Sequence, residues 1–102
     1  MRLLKDVAKY VRSKNAGPFW VTIDIFCEDE ASFDELCAAP SLGALGIADL
    51  YKLNSNQIRV FHDRPLKVIK ISFPRPVAQG SARDTDSHAG QYFVPLLSAP
   101  VP

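Results

Sequence analysis

The chain is poor in the features that usually announce chemistry. It holds only two cysteines, Cys27 and Cys37, and they lack a Cys-x-x-Cys spacing. Two cysteines make no disulfide framework, and without a secretion signal reduced thiols are the better reading than a bridge. No apolar run approaches the roughly 18 residues of a membrane helix, so no membrane contact is expected. The N-terminus lacks the apolar core and small-residue cleavage site of a signal peptide, which makes the cytoplasm the expected location. Glycine is sparse, at five residues. Its spacing forms neither a P-loop nor a dinucleotide fingerprint, and no cofactor is expected. The net charge of +1 gives no broad electrostatic footprint, so neither nucleic acid nor an anionic membrane is an expected partner. There is no internal repeat and no low-complexity tract.

What remains is an ordinary globular composition, 47% hydrophobic and 23% charged over 102 residues. That length is one domain with one modest core. Residues 1–73 carry the periodic pattern of a packed unit, and residues 74–102 form a segment of different character.

Leu3, Leu4, Val7, Ala8 and Val11 recur at helical steps, with Asn15 and Gly17 as stop residues. The first eight residues also alternate as a strand would, through Leu3, Lys5 and Val7; the helix is favoured. Phe19 to Cys27 is the clearest strand. Phe19, Val21, Ile23 and Ile25 face the core, and Trp20, Thr22, Asp24 and Phe26 form a mixed opposite face. Glu28-Asp29-Glu30 opens a short helix through Phe33, Leu36 and Cys37, where acidic residues meet the positive end of the dipole. Ser41 is placed to cap a second helix with an apolar stripe of Leu42, Leu45, Ile47, Ala48, Leu50 and Tyr51, ended by Asn54-Ser55-Asn56. Gly43 and Gly46 weaken its start by about 1 kcal/mol each relative to Ala. Ile58–His62 and Leu66–Phe73 are two further strands joined by an Asp63-Arg64-Pro65 turn. From Pro74 onward lie five of the eight prolines. This stretch reads as an extended segment that wraps the domain or a partner, anchored by Tyr92 to Leu97.

Two polar constellations carry the candidate chemistry. Arg12-Ser13-Lys14-Asn15-Ala16-Gly17 sets a guanidinium, an ammonium and a hydroxyl near accessible backbone N–H groups, which suits a phosphate or carboxylate. The same residues also describe a solvated helix C-terminus. Asp84-Thr85-Asp86-Ser87-His88 would point Asp84, Asp86 and His88 to one side of an extended chain. It reads either as a polar loop or as an incomplete cation site, and no metal is expected. Asp86 becomes a general base if burial raises its pKa. Asp24, mid-strand on the mixed face, is either solvated or orients Arg12 or Lys14. His62 reads as an exposed turn residue, and the two cysteines as small core residues.

The run Asp6-Val7-Ala8, Arg12 through Phe19 and Thr22-Ile23-Asp24 resembles the bacterial family called domain of unknown function 4387. Pro74-Arg75-Pro76, Gly80-Ser81, Asp84-Thr85-Asp86, Gln91 and Pro95-Leu96-Leu97 fit the same pattern. Arg83 departs from it, where a Gly is expected. Members of that family resemble the small ferredoxin-fold domain of AtuA-like acyclic terpene utilisation proteins, which carries a similar Arg-Ser-Gly-Asp-Lys-Gly run before a strand. The resemblance implies a detached small subunit that accompanies a larger AtuA-like protein, with an acyl-CoA or related carboxylic acid as substrate class.

The expected fold is therefore a small α+β domain, a ferredoxin-like α/β sandwich with a Pro-rich extended C-terminal tail. The expected role is that of an accessory subunit of an AtuA-like protein, or a homo-oligomer. Arg12, Ser13, Lys14, Asn15, Gly17, Asp84 and Thr85 would bind an anionic group, and Asp24 and Asp86 are candidate catalytic carboxylates. A stand-alone enzyme acting on a small carboxylate or thioester and a non-catalytic binding module are the other two readings.

Overall fold

A computed structural model describes residues 2–16, 19–74 and 93–101. Its centre is the predicted strand, here β3 (Trp20–Phe26), in which Val21, Ile23 and Ile25 are fully buried. Alternation dictates this: three branched aliphatic residues at every second position line one face, and the mixed set lines the other. Phe19 does not join that apolar face. It precedes the strand, in the turn, and is largely exposed.

Before β3 the structure departs from the favoured helix. Arg2–Leu3 is a short strand, β1, and Leu4–Val7 makes a single helical turn, α1. Asp6 reaches back from that turn, its Oδ2 accepting the N–H of Leu3 at 3.1 Å. The turn stops at Ala8, whose backbone is extended. Tyr10–Asn15 is then a strand, β2, antiparallel to β3. A helix through Val11 would bury Leu4, Val7 and Val11 but would leave one edge of β3 unpaired. The strand instead satisfies six residues of ladder, and tertiary pairing overrides a weak local period. Asn15 and Ala16 therefore begin a hairpin turn, not a helix end, and Ala16 donates its N–H to the Trp20 carbonyl at 2.9 Å.

Asp29 caps α2 (Glu30–Cys37), accepting the Ser32 N–H at 2.8 Å. Ser41 is not the next cap. Pro40–Leu42 tightens into a 3-10 turn, and Gly43 precedes α3 (Ala44–Tyr51). Ser41 Oγ instead donates to the Pro100 carbonyl at 2.6 Å. α3 stops before Asn54, at Lys52, which adopts a left-handed φ of 58°. Asn54 caps the following short 3-10 turn, Ser55–Gln57.

β4 (Arg59–Asp63) and β5 (Val68–Pro74) form the expected hairpin, with Pro65 outside the ladder. Ile69, Ile71 and Phe73 are fully buried, as their alternation requires. The order across the four-stranded sheet is β2-β3-β5-β4, with every neighbour antiparallel. The coarse expectation, a small α+β domain, is met. α2 and α3 join β3 to β4, which run parallel with β5 inserted between them, so the described residues contain a split βαβ unit flanked by β2.

Phe33, Leu36, Leu42, Ile47 and Ala48 close one face of the sheet and share a single core with its buried residues. The C-terminal residues enter that core. Val94–Ser98 is a 3-10 turn with Leu96 fully buried, and β6 (Pro100–Val101) pairs antiparallel with β1. Of the expected anchor, Phe93 to Leu97 is thus coiled, not extended, while residues 75–92, including Tyr92, lie outside the described residues.

Candidate functional site

Opposite the helices, the sheet presents its mixed face. Strand alternation and register place Tyr10, Arg12 and Lys14 of β2 beside Phe26, Asp24 and Thr22 of β3. Lys70 and Ser72 of β5 and Phe61 and Arg59 of β4 complete the rows. The result is a surface of alternating aromatic and charged groups. Among the described residues no helix covers it, since α2 and α3 contribute to the core on the other side.

At the β2 side, Tyr10 stacks on Phe26 with ring centroids 4.4 Å apart and planes 22° from parallel. The Arg12 guanidinium lies over both rings, 5.1 Å from the Tyr10 centroid and 5.9 Å from that of Phe26. This is the cation–π arrangement, a guanidinium attracted to the negative faces of two aromatic rings. Arg12 is directly across from Asp24, as is Lys70 from the other side. The guanidinium prefers the rings, and Asp24 makes no ion pair within the described residues. Asp24 Oδ1 is shielded from solvent and accepts no hydrogen bond among them. A carboxylate oxygen in that state, between two cations, invites a donor. At the β4 side, the Arg59 guanidinium sits 6.0 Å over the Trp20 ring, and Trp20, Arg59, Phe61 and Ser72 line a shallow hollow of about 330 Å³. Thr22 Oγ1 and Ser72 Oγ lie 3.4 Å apart between the two halves.

The expected anion loop is split by the strand. Arg12 and Lys14 stand on this mixed face. Ser13 and Asn15 point to the core side, opposite Ile23 and Val21, and Ser13 Oγ accepts the Phe93 N–H at 3.2 Å. Ser13 is thus a tether for the C-terminal segment, and the four residues do not line one pocket. Gly17, Asp84, Thr85, Asp86 and His88 lie outside the described residues. Asp24 neighbours Arg12 by strand register, and not through an adjacent loop.

The thiols are poor nucleophiles. Burial, with help from Cys37 and Asp29, pushes the Cys27 thiol up to about 11, and burial likewise raises Cys37. His62 packs edge-on to Phe33, centroids 6.3 Å apart. Among the described residues no group of three or more His, Cys, Asp or Glu is placed to hold a metal ion, and no helix is long and apolar enough to cross a membrane.

Sequence reasoning missed two features. One is the stack of Tyr10, Phe26 and Arg12, which the alternation of β2 and β3 would have revealed once both were read as strands. The other is a hollow of about 570 Å³ between α3 and the C-terminal turn, lined by Pro40, Leu45, Gly46, Leu50, Pro95 and Pro100. Its signal was the outward pair Leu45 and Leu50, which lie off the buried stripe of α3.

No curated protein and no solved structure matches the chain. A family model does match, over residues 4–100, and so spans β2, β3 and the strands that build the mixed face. With nearly its whole length inside that match, the chain belongs to the family described as domain of unknown function, DUF4387.

Proposed function

We propose that this chain is a small accessory subunit of a bacterial, cytoplasmic AtuA-like protein that works in acyl-CoA or carboxylic acid breakdown. The observation that carries the reading is the uncovered mixed face with its Tyr10–Phe26–Arg12 stack. Aromatic rings and arginines concentrated on one face are the composition of protein interfaces, where lysine is otherwise scarce. The β2 side of that face docks against the larger subunit. There the edge of the Arg12 guanidinium and the Lys14 ammonium receive an anionic group of the substrate, a carboxylate or a phosphate of coenzyme A. The more distant likeness to the ferredoxin-fold domain of AtuA-like proteins supports the choice of partner.

Size-exclusion chromatography of this chain with and without an AtuA-like protein from the same organism tests the docking. Co-elution is expected, and weakened co-elution in Arg12→Ala/Lys14→Ala. A chain that never shifts on mixing overturns the reading. Coenzyme A added to the assembled pair should raise its melting temperature, and less so in the double variant.

Asp24 favours one second reading, a stand-alone enzyme for a small carboxylate or thioester. Its buried Oδ1, which accepts no hydrogen bond among the described residues, lies between two cations, where a substrate proton donor would fit. Turnover of a thioester by the isolated chain that vanishes in Asp24→Asn would select this reading over the first.

A further inference from the structure

Among the described residues β4 is an end strand of the four-stranded sheet. Within the described residues it pairs with β5 on one side and with nothing on the other, so half of its backbone N–H and C=O groups face outward. Natural end strands are commonly blunted by charge. This one reads Arg59-Val60-Phe61-His62-Asp63, with a cation at one end, an anion at the other and a 55% exposed Phe61 at its midpoint.

Those three residues share the mixed face, two apart in each case. The order is its own antiparallel complement. A second copy reversed about Phe61 sets Arg59 opposite Asp63 of the partner subunit and Asp63 opposite the partner's Arg59. Phe61 then meets the partner's Phe61 on the axis. On the other face, Val60 meets the partner's His62. A parallel pairing would put each charge against its own kind. So would a slip of two residues remove both ion pairs and unpair the phenylalanines. Opposite charges and aromatic pairs directly across neighbouring strands are the contacts that stabilise a sheet.

We propose that two copies of this chain pair along β4, antiparallel about Phe61, to make one continuous eight-stranded sheet. The two-fold axis stands perpendicular to the sheet, so both helical layers lie on one side and both mixed faces on the other. The contact is isologous and closed, because each copy uses the same β4 edge about the two-fold axis. Its small size makes the dimer concentration-dependent. Leu66, 69% exposed in the turn beyond Asp63, extends the contact past the partner's Arg59. The site lies at the opposite edge of the sheet from Tyr10, Arg12 and Lys14. A dimer thus leaves both β2 sides open, and the two proposals stand or fall separately.

Sedimentation of the full chain over a range of concentrations reads the equilibrium. Arg59→Asp and Asp63→Arg each turn both ion pairs into like-charge pairs and should weaken self-association by about tenfold. Mixed in equal amounts, the two variants are complementary at both ends and should associate with each other as wild type does with itself. A wild-type chain that stays monomeric at every concentration overturns the proposal. So do single variants as dimeric as wild type, or a mixture no more dimeric than its components. Should a charge variant fail to fold, Phe61→Cys is the second test. Mild oxidation should give a disulfide joining residue 61 of two chains, identified by mass spectrometry, while Leu45→Cys, on exposed α3, should not cross-link. Equal cross-linking at both positions counts against the β4 pairing.

Discussion

Cys27 sits immediately after β3, where its N–H donates to the Lys67 carbonyl at 2.9 Å and its side chain is buried. Burial penalises the thiolate, so its pKa rises from an ordinary 9.0 to about 11. Below pH 9.0 the folded and unfolded chains both keep this proton, and the thiol contributes no pH dependence. Above that, the unfolded chain loses the proton while the folded chain holds it. The unfolded state then binds fewer protons, so stability falls as pH rises, until the folded thiol also ionises near 11. Thermal denaturation across that window should show a declining melting temperature, and Cys27→Ala should flatten the decline. An unchanged slope in the variant would assign it to other groups, such as Tyr51, whose burial against Phe73 also raises its pKa. The same burial explains why neither cysteine belongs in the candidate site.

Glycine shows how an element's surroundings decide the sign of one substitution. A Cβ on Gly46 would lie 2.6 Å from the carbonyl oxygens of both Pro40 and Ser41. Helix propensity favours Gly46→Ala by about 1 kcal/mol, but forcing α3 off the 3-10 turn costs roughly 1–3 kcal/mol. The clash is with backbone, which cannot swing away, so the variant should be less stable than wild type by up to about 2 kcal/mol. Gly43, which precedes α3 at an ordinary φ of −82°, has its nearest neighbour at 3.5 Å. Gly43→Ser supplies the missing cap acceptor and should be neutral or a few tenths of a kcal/mol stabilising, about the difference measured between Gly and Ser caps. Paired urea titrations of the two variants check this. Elements whose identity rests on strict alternation or on an acidic helix start were readable in advance: β3, the β4–β5 hairpin and α2, although the capping role of Asp29 came from the structure. β2 was not. Leu4, Val7 and Val11 satisfy a helical step, and only the presence of β3 as a neighbour turns Tyr10–Asn15 into a strand. The candidate site inherited that error. Arg12 and Lys14 were recognisable by type, but their separation from Ser13 and Asn15 follows from strand geometry alone.

For the whole molecule, the informative contacts join residues far apart in the chain. β1 holds β6, Ser13 holds Phe93, and Ser41 holds Pro100. Leu96, Ala99 and Val101 are buried in the same core as Leu4 and the sheet. The C-terminal residues are therefore a structural closure of the domain, and not an appendage that waits for a partner. Two substitutions in the same 3-10 turn separate these alternatives. Leu96→Ala removes a fully buried side chain and should cost about 2–5 kcal/mol. Val94→Ala trims a side chain that is 45% exposed and should change stability by no more than about 0.5 kcal/mol. At roughly 4–8 °C per kcal/mol for a domain of this size, the first variant should lose about 8 °C or more, and the second at most a few degrees. Both are to be measured on the chain alone, with no partner present. If Leu96→Ala melts with wild type, the segment does not close the core of the free domain, and its packing would have to be supplied by whatever the mixed face binds.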